Sequence, residues 1–282
     1  MKRTILPILV VAVLLTMACG IAIPKPPTPG QQVTDRIEAP ASPSGATRLT
    51  LVFGAGKLNL SPGAESNLIV QGAATYNYSQ LKPVITTEGE SVRVQSGDGT
   101  FKSLPGTGDL VNRWDLQLGA SPLDLTIEAG AYDGEFEFGG LALTGLTVKD
   151  GAATVELSFS APNLAEMPIL RYETGASNVT LSGLGNANFS TMLFKSGAGD
   201  YTLDFSGALR RDATVSVESG LSNFILIIPA GVPAVVTMEG GVSNVHTGPG
   251  WSQNGNVYTQ EGEGPTLTIL IKAGVSDVTI TR

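Results

Sequence analysis

Cysteine and histidine are almost missing from this chain of 282 residues, which has one of each, Cys19 and His246. A disulfide within the chain is therefore excluded. A zinc site needs several His or Cys ligands, so that class is excluded too. A Ser-His-Asp triad would have to use His246, and no Gly-x-Ser-x-Gly elbow is there to present its serine. Neither a P-loop nor a dinucleotide fingerprint appears, and no cofactor is called for. Charge is also sparse: charged residues make up 15%, with 17 Lys+Arg against 25 Asp+Glu and a net charge of −8. Removal of a leader carrying Lys2 and Arg3 leaves 15 against 25, a net −10. Such a body, with no basic run, repels phosphate backbones, which excludes nucleic acid as a partner. Helical periodicity is missing throughout.

What the chain does have is glycine, 35 of them, and a repeat. Gly-small-Ser/Gly-Asn/Asp-apolar-x-apolar occurs as Gly175-Ala176-Ser177-Asn178-Val179-Thr180-Leu181 and as Gly197-Ala198-Gly199-Asp200-Tyr201-Thr202-Leu203. It returns at Gly220, Gly241 and Gly274, giving steps of 22, 23, 21 and 33 residues. Weaker copies begin at Gly130 and Gly151, and a degenerate one at Gly54. A period in the low twenties is the mark of a solenoid whose repeats stack in turn. Gly is expected to supply positive φ at each corner, and Asn or Asp to tolerate the left-handed region beside it. Val179, Tyr201, Phe224, Val245 and Val278, with Leu181, Leu203, Leu226 and Ile280 two residues later, share one strand face and should stack inward. His246 occupies the position held by Thr180, Thr202, Ile225 and Thr279, so it reads as one member of a strand-face column.

The N-terminus reads as an export signal. Lys2 and Arg3 precede an apolar run from Ile5 to Leu15, and this pattern defines a signal peptide over residues 1–18. The following Leu15-Thr16-Met17-Ala18-Cys19-Gly20 resembles a bacterial lipobox, with Leu15 one position further from the cysteine than the usual pattern. It implies cleavage before Cys19 and a lipid anchor there. An uncleaved helix from Ile5 to Ile23 is the other reading. Both place the rest of the chain outside the cytoplasm, with the membrane as one partner. Residues 19–46 carry Pro24, Pro26, Pro27, Pro29, Pro40 and Pro43 and read as a tether, partly polyproline-like.

Residues 47–128 read as a first β region, less regular than the repeat stack of residues 129–282. Leu49, Leu51 and Phe53 alternate with polar or smaller residues, as do Trp114, Leu116 and Leu118, which is strand spacing. Glu88-Gly89-Glu90 sits between two such runs as a hairpin turn. Gly97-Asp98-Gly99 and Gly106-Thr107-Gly108-Asp109 have too few carboxylates at close spacing for calcium and read as turns. Within the last repeat step, Gly250-Trp251-Ser252-Gln253-Asn254-Gly255-Asn256-Val257-Tyr258 reads as a hairpin turning at Asn254-Gly255. Trp251 and Tyr258 would meet across it, as a ligand platform or as a cover for the end of the stack.

The repeats, that Trp/Tyr hairpin and a closing repeat resemble the toast-rack families of bacterial envelope proteins. These are related to the C-terminal region of LiaF-like cell-wall stress proteins and to heads named as auto-transporter adhesins. The stretch Asn67 to Asn77 resembles the N-terminal portion that accompanies a toast rack. The resemblance covers roughly residues 47–282 and implies an all-β, right-handed solenoid-like stack in the cell envelope. It implies no reaction and no functional residues.

Two functions follow as expectations. The first is a non-enzymatic, adhesin-like envelope module whose faces or loops bind a glycan or another envelope protein. The second is a polysaccharide-active enzyme. Asp133, Glu135 and Glu137 alternate along one strand and share a face, where they can bind a cation or work as an acid/base pair. That reading requires Asp133, Glu135 or Glu137 in a groove with a basic or aromatic neighbour. Otherwise they form a solvated outer face, with Phe136 and Phe138 turned inward.

Overall fold

The structure, a computed structural model, describes residues 28–43, 45–97 and 110–282. The signal peptide, Cys19, the first part of the tether and both Gly/Asp loops (residues 98–109) lie outside the described residues. The strands begin with β1 (Val33–Pro40), β2 (Thr47–Pro62), β3 (Leu68–Tyr76), β4 (Pro83–Glu88) and β5 (Ser91–Ser96). Next come β6 (Asn112–Leu118), β7 (Leu123–Glu137), β8 (Leu143–Asp150), β9 (Ala152–Ser158) and β10 (Met167–Ser182). The chain ends with β11 (Phe189–Asp204), β12 (Ala213–Ile227), β13 (Ala234–Thr247), β14 (Ser252–Asn254), β15 (Val257–Gln260) and β16 (Leu267–Thr281). The protein is all-β, and among the described residues no helix is long and apolar enough to cross a membrane.

The long strands each serve two ladders. In β10, buried residues fall on Leu170, Tyr172 and Thr174, then on Ser177, Val179 and Leu181. Gly175 and Ala176 between them are both exposed. A straight strand keeps one parity of burial. Two exposed residues in succession mean that the strand turns a convex corner and wraps the core. The same shift occurs at Gly220-Leu221 and Gly274-Val275. The first halves build one leaf (β8, β10, β11, β12), and the second halves build another, starting from β9. Both leaves turn their apolar columns toward one core. Val179, Tyr201, Phe224 and Val278, with Leu181, Leu203, Leu226 and Ile280, are all buried there, as the alternation requires. Tyr172, Phe194, Tyr201 and Phe224 form an aromatic cluster with ring centroids 5.1 to 6.0 Å apart.

Four expectations are corrected. The positive φ expected of the corner glycines is not found at Gly197 or Gly220. Their requirement for glycine is steric. A Cβ on Gly197 would lie 2.6 Å from the Gly175 carbonyl oxygen, and one on Gly220 2.6 Å from that of Gly197. Second, the tether expected over residues 19–46 ends early. β1 pairs antiparallel with β3, because Ile37 and Ala39 alternate with Arg36 and Glu38 and are buried against the core. Third, no boundary falls between residues 128 and 129. β7 runs through that point and pairs in parallel with β2 on both sides of the corner, so the degenerate copy at Gly54 is a rung of the same stack.

Fourth, the repeats do not stack in chain order. β16 lies between β12 and β13, parallel to both. After β12 the chain skips one rung, lays down β13, makes the β14–β15 hairpin on its outer side and returns to fill the gap. The C-terminal strand thereby gains hydrogen-bond partners on both edges. Arg282 then donates to Gln260, whose amide donates to the carbonyls of Pro229 and Val232.

Candidate functional site

Parallel pairing in register turns each repeat position into a column along the stack. The corner position carries Ala55, Ala131, Ala152, Ala176, Ala198, Leu221 and Val275 in ladder order. Two residues on, the outer face of the second leaf carries Lys57, Asp133, Thr154, Asn178, Asp200, Asn223, Asp277 and Asn244. The last five alternate amide and carboxylate, so no two carboxylates sit on adjacent rungs. Asn223 donates to Asp200 at 2.7 Å and Asn244 to Asp277 at 2.8 Å.

Between these columns runs a shallow groove. Its larger part, about 740 Å³, has Ala55, Ala131, Ala152, Ala176 and Ala198 on one side, Asp133, Thr154 and Asn178 on the other, and Leu110 at one end. A second part of about 400 Å³ continues past Asp200, Leu221, Asn223, Val275 and Asp277. One wall is apolar and the other offers amide and carboxylate groups at a repeat of about 4.8 Å. Tyr132 and Ser177 line the floor. Beneath them sits Asp150, which accepts from Tyr172 at 2.8 Å and from Tyr132 and Ser177 at 3.4 Å. Burial pushes the Asp150 carboxyl up, against the pull of its hydroxyl donors. The sequence offered no signal for this network. Tyr132, Asp150 and the β10 pair Tyr172 and Ser177 come from separate strands and meet only through the ladders.

The candidate acidic residues are placed as follows. Asp133 is exposed on the polar wall of the groove. Glu135 is exposed and accepts from Lys57 at 2.7 Å. Glu137 is tied to its own turn and to the next rung: it accepts from the Gly139 amide at 2.5 Å, the Ser160 hydroxyl at 2.8 Å and the Ser158 hydroxyl. Burial raises the Glu137 carboxyl, but these donors outweigh it and hold the group below the usual carboxylate range. Glu135 and Glu137 do line a groove of about 570 Å³ with Asp115 and Glu156, and Lys57 is the basic neighbour. Phe136 and Phe138 are inward, as expected.

The other candidates separate. Tyr258 is buried and stands opposite Gln253, which donates to its hydroxyl at 3.1 Å. Trp251 precedes β14 and packs on the core. The hairpin therefore extends the first leaf and covers its end; with Tyr258 buried, it presents no open pair of rings. His246 is exposed in register with Thr279, in the column expected for it. Among the described residues no group of three or more His, Cys, Asp or Glu could hold a metal ion.

The family model described as the N-terminal domain of toast_rack, DUF2154, matches residues 28–169, half of the chain. The chain belongs to the toast-rack family. The comparison with curated proteins returns no match. Among solved structures, it is similar to a "putative cell adhesion protein" from Clostridium sporogenes ATCC 15579, with 20% identity, 88% of this chain and 99% of that chain covered, and a TM-score of 0.45. It is also similar to a "putative adhesin" from Bacteroides fragilis NCTC 9343, with 10% identity, 89% and 97% covered, and a TM-score of 0.35. A "putative lipid binding protein" from Parabacteroides distasonis ATCC 8503 has 10% identity, 88% and 97% covered, and a TM-score of 0.38.

Proposed function

We propose that this protein is a non-enzymatic, adhesin-like binding module of the cell envelope, anchored outside the cytoplasm through a lipid on Cys19, and that it holds a linear glycan in the corner groove. The amphipathic groove carries the reading. Sugar rings have apolar faces and a rim of hydroxyls. The alanine column suits the former, and Asp133, Asn178, Asp200 and Asn223 suit the latter. A chain lying across the rungs meets the same pair of walls several times, so weak contacts add by multivalency.

The alternative, a polysaccharide-active enzyme working through Asp133, Glu135 and Glu137, is less well supported. Lys57 pairs with Glu135, and Glu137 is held ionised by donors from Gly139, Ser158 and Ser160. A general acid needs a raised value. Burial does push up the Asp150 carboxyl, but that group lies under the floor and is bound by hydroxyls.

The test is a binding screen of the full-length chain, solubilised in detergent, against envelope glycans, with Asn178→Ala/Asp200→Ala as the groove variant. Binding that the double variant weakens about tenfold or more supports the reading. Binding unaffected by the variant, or glycan cleavage by the unmodified chain, overturns it. Anchoring is checked separately with a fatty-acid probe: Cys19→Ala should abolish labelling and release the protein, and unchanged membrane retention without labelling would refute the lipid anchor.

A further inference from the structure

Among the described residues four strand edges end the two leaves, and three of them are guarded. β1 carries Asp35, Arg36, Glu38 and Pro40; β4 begins at Pro83 and ends at Glu88; β14 has only three residues. Charges, proline and shortness are the usual devices against unwanted strand pairing. The fourth edge has none of them. β13 pairs with β16 along both its halves but with β15 only over residues 234–237. Residues 241–247, Gly-Val-Ser-Asn-Val-His-Thr, contain no proline and no Asp, Glu, Lys or Arg. Among the described residues no strand lies on their outer side.

The end of the stack is also stepped. The first leaf continues beyond β13 by two strands, β15 and β14, while the second leaf stops at β13. This leaves a notch two strands wide, roughly 10 Å, at the end of the second leaf. The core is incompletely closed there. Val245 is only half-buried, whereas Val278 and Phe224, its column neighbours, are buried. Asn244 gives its amide nitrogen to Asp277, which leaves its carbonyl oxygen as an acceptor on the open side.

We propose that this edge is a docking site for an extended polypeptide segment of another protein, added as a further strand of the second leaf. The notch limits what fits. A second copy using the same edge would bring its own two-strand overhang onto the first copy's overhang, because both leaves would be extended toward one another. A single extended segment meets no such obstacle. Its recognisable chemistry is an apolar residue facing inward beside Val245 and a hydrogen-bond donor facing outward beside Asn244, with neutral or basic character to suit a chain of net −8. Backbone hydrogen bonds supply affinity and the alternate side chains supply selectivity. This site lies at the end of the stack, so it stands or falls independently of the glycan groove.

The experiment uses a synthetic peptide copying residues 272–282 but with Asn at the position of Asp277, Lys-Ala-Gly-Val-Ser-Asn-Val-Thr-Ile-Thr-Arg, so that an amide donor stands beside Asn244; the parent strand already matches β13 in register on its other side. Amide hydrogen exchange of the full-length chain in detergent is measured with and without it. The expected result is slowing of about tenfold or more confined to residues 241–247. It should be lost with Asn244→Lys, which places a charge at the edge without burying it, and with a peptide bearing proline at its second valine. The proposal is overturned by no slowing at saturating peptide, by slowing elsewhere, by binding that survives Asn244→Lys, or by light scattering that shows a dimer with these amides already protected.

Discussion

The corner glycines give a test that separates two causes of one sequence pattern. Gly197→Ala would put a methyl group 2.6 Å from the carbonyl oxygen of Gly175 on the neighbouring rung. A normal contact needs at least about 3.2 Å, so one rung must shift by roughly 0.6 Å against ladders hydrogen-bonded on both sides. Overpacking of this kind costs about 1–3 kcal/mol. Against that stands the gain from restricting the unfolded chain, about 0.4–1 kcal/mol for Gly→Ala. The net loss is about 1–2 kcal/mol, or a fall in Tm of roughly 2–8 °C for a domain of this size. Gly54 provides the internal control. It heads the same column, has no positive φ, and a Cβ there meets nothing within 4 Å. The reason is local: β2 pairs with β5 only up to Val52 and with β6 only from Lys57, so among the described residues no rung lies across the corner on that side. Gly54→Ala should therefore be neutral or stabilising by up to about 1 kcal/mol. Thermal unfolding followed by circular dichroism, with urea midpoints as a check, reads both. Equal destabilisation of the two variants would refute the steric argument, and so would an unchanged Tm for Gly197→Ala.

Two further outcomes concern the carboxyl groups. The Asp150 carboxyl is raised by burial, so the folded state holds its proton more tightly than the unfolded chain. Its stabilising share is complete below the unfolded value of about 4 and is lost as pH rises through the folded one. Asp150→Asn should flatten the decline in Tm above about pH 4, whereas Asp150→Ala should cost about 2–4 kcal/mol by stranding the Tyr172 and Tyr132 hydroxyls. Parallel pH profiles for wild type and Asp150→Asn would contradict the buried network. Glu137 has the opposite sign: its carboxyl is depressed, so its contribution is present above about pH 4.3 and disappears as pH falls through the folded value. Glu137→Ala should free the Gly139 and Ser160 amides, in the turns that follow β7 and β9, seen as faster amide exchange at those two donors, and unchanged exchange would refute the assignment.

Much of the fold was legible because its signals are local. Alternation from Val179 to Leu181 or from Phe224 to Leu226 needs only a strand with one buried face, and a Gly-small pair between two alternating runs marks a corner. The inward aromatic residues, the edge-covering hairpin and the column position of His246 follow from the same period. The candidate site was less legible. Asp133 was found through alternation and does line the groove, but its wall is made by Asn178 and Asp200, which the repeat suggested were only turn residues. Glu137 looked like Asp133 in sequence, yet Ser158 and Ser160, from the next rung, occupy it.

The sequence by itself determined the class of structure, the rung length and which side chains face the core, since these depend on neighbours along the strand. Tertiary structure decided the order of the rungs, the pairing of β1, the reason for glycine at the corners and the network around Asp150. The physical reason is degeneracy. β12, β13 and β16 carry the same repeat, so each can pair in parallel with either of the others, and nothing within a repeat ranks those pairings. Connection lengths, the β14–β15 hairpin and the satisfaction of the last strand on both edges break the tie. The corner follows the same logic. One rung shows only a glycine, while the second rung shows the carbonyl oxygen that leaves no room for anything larger.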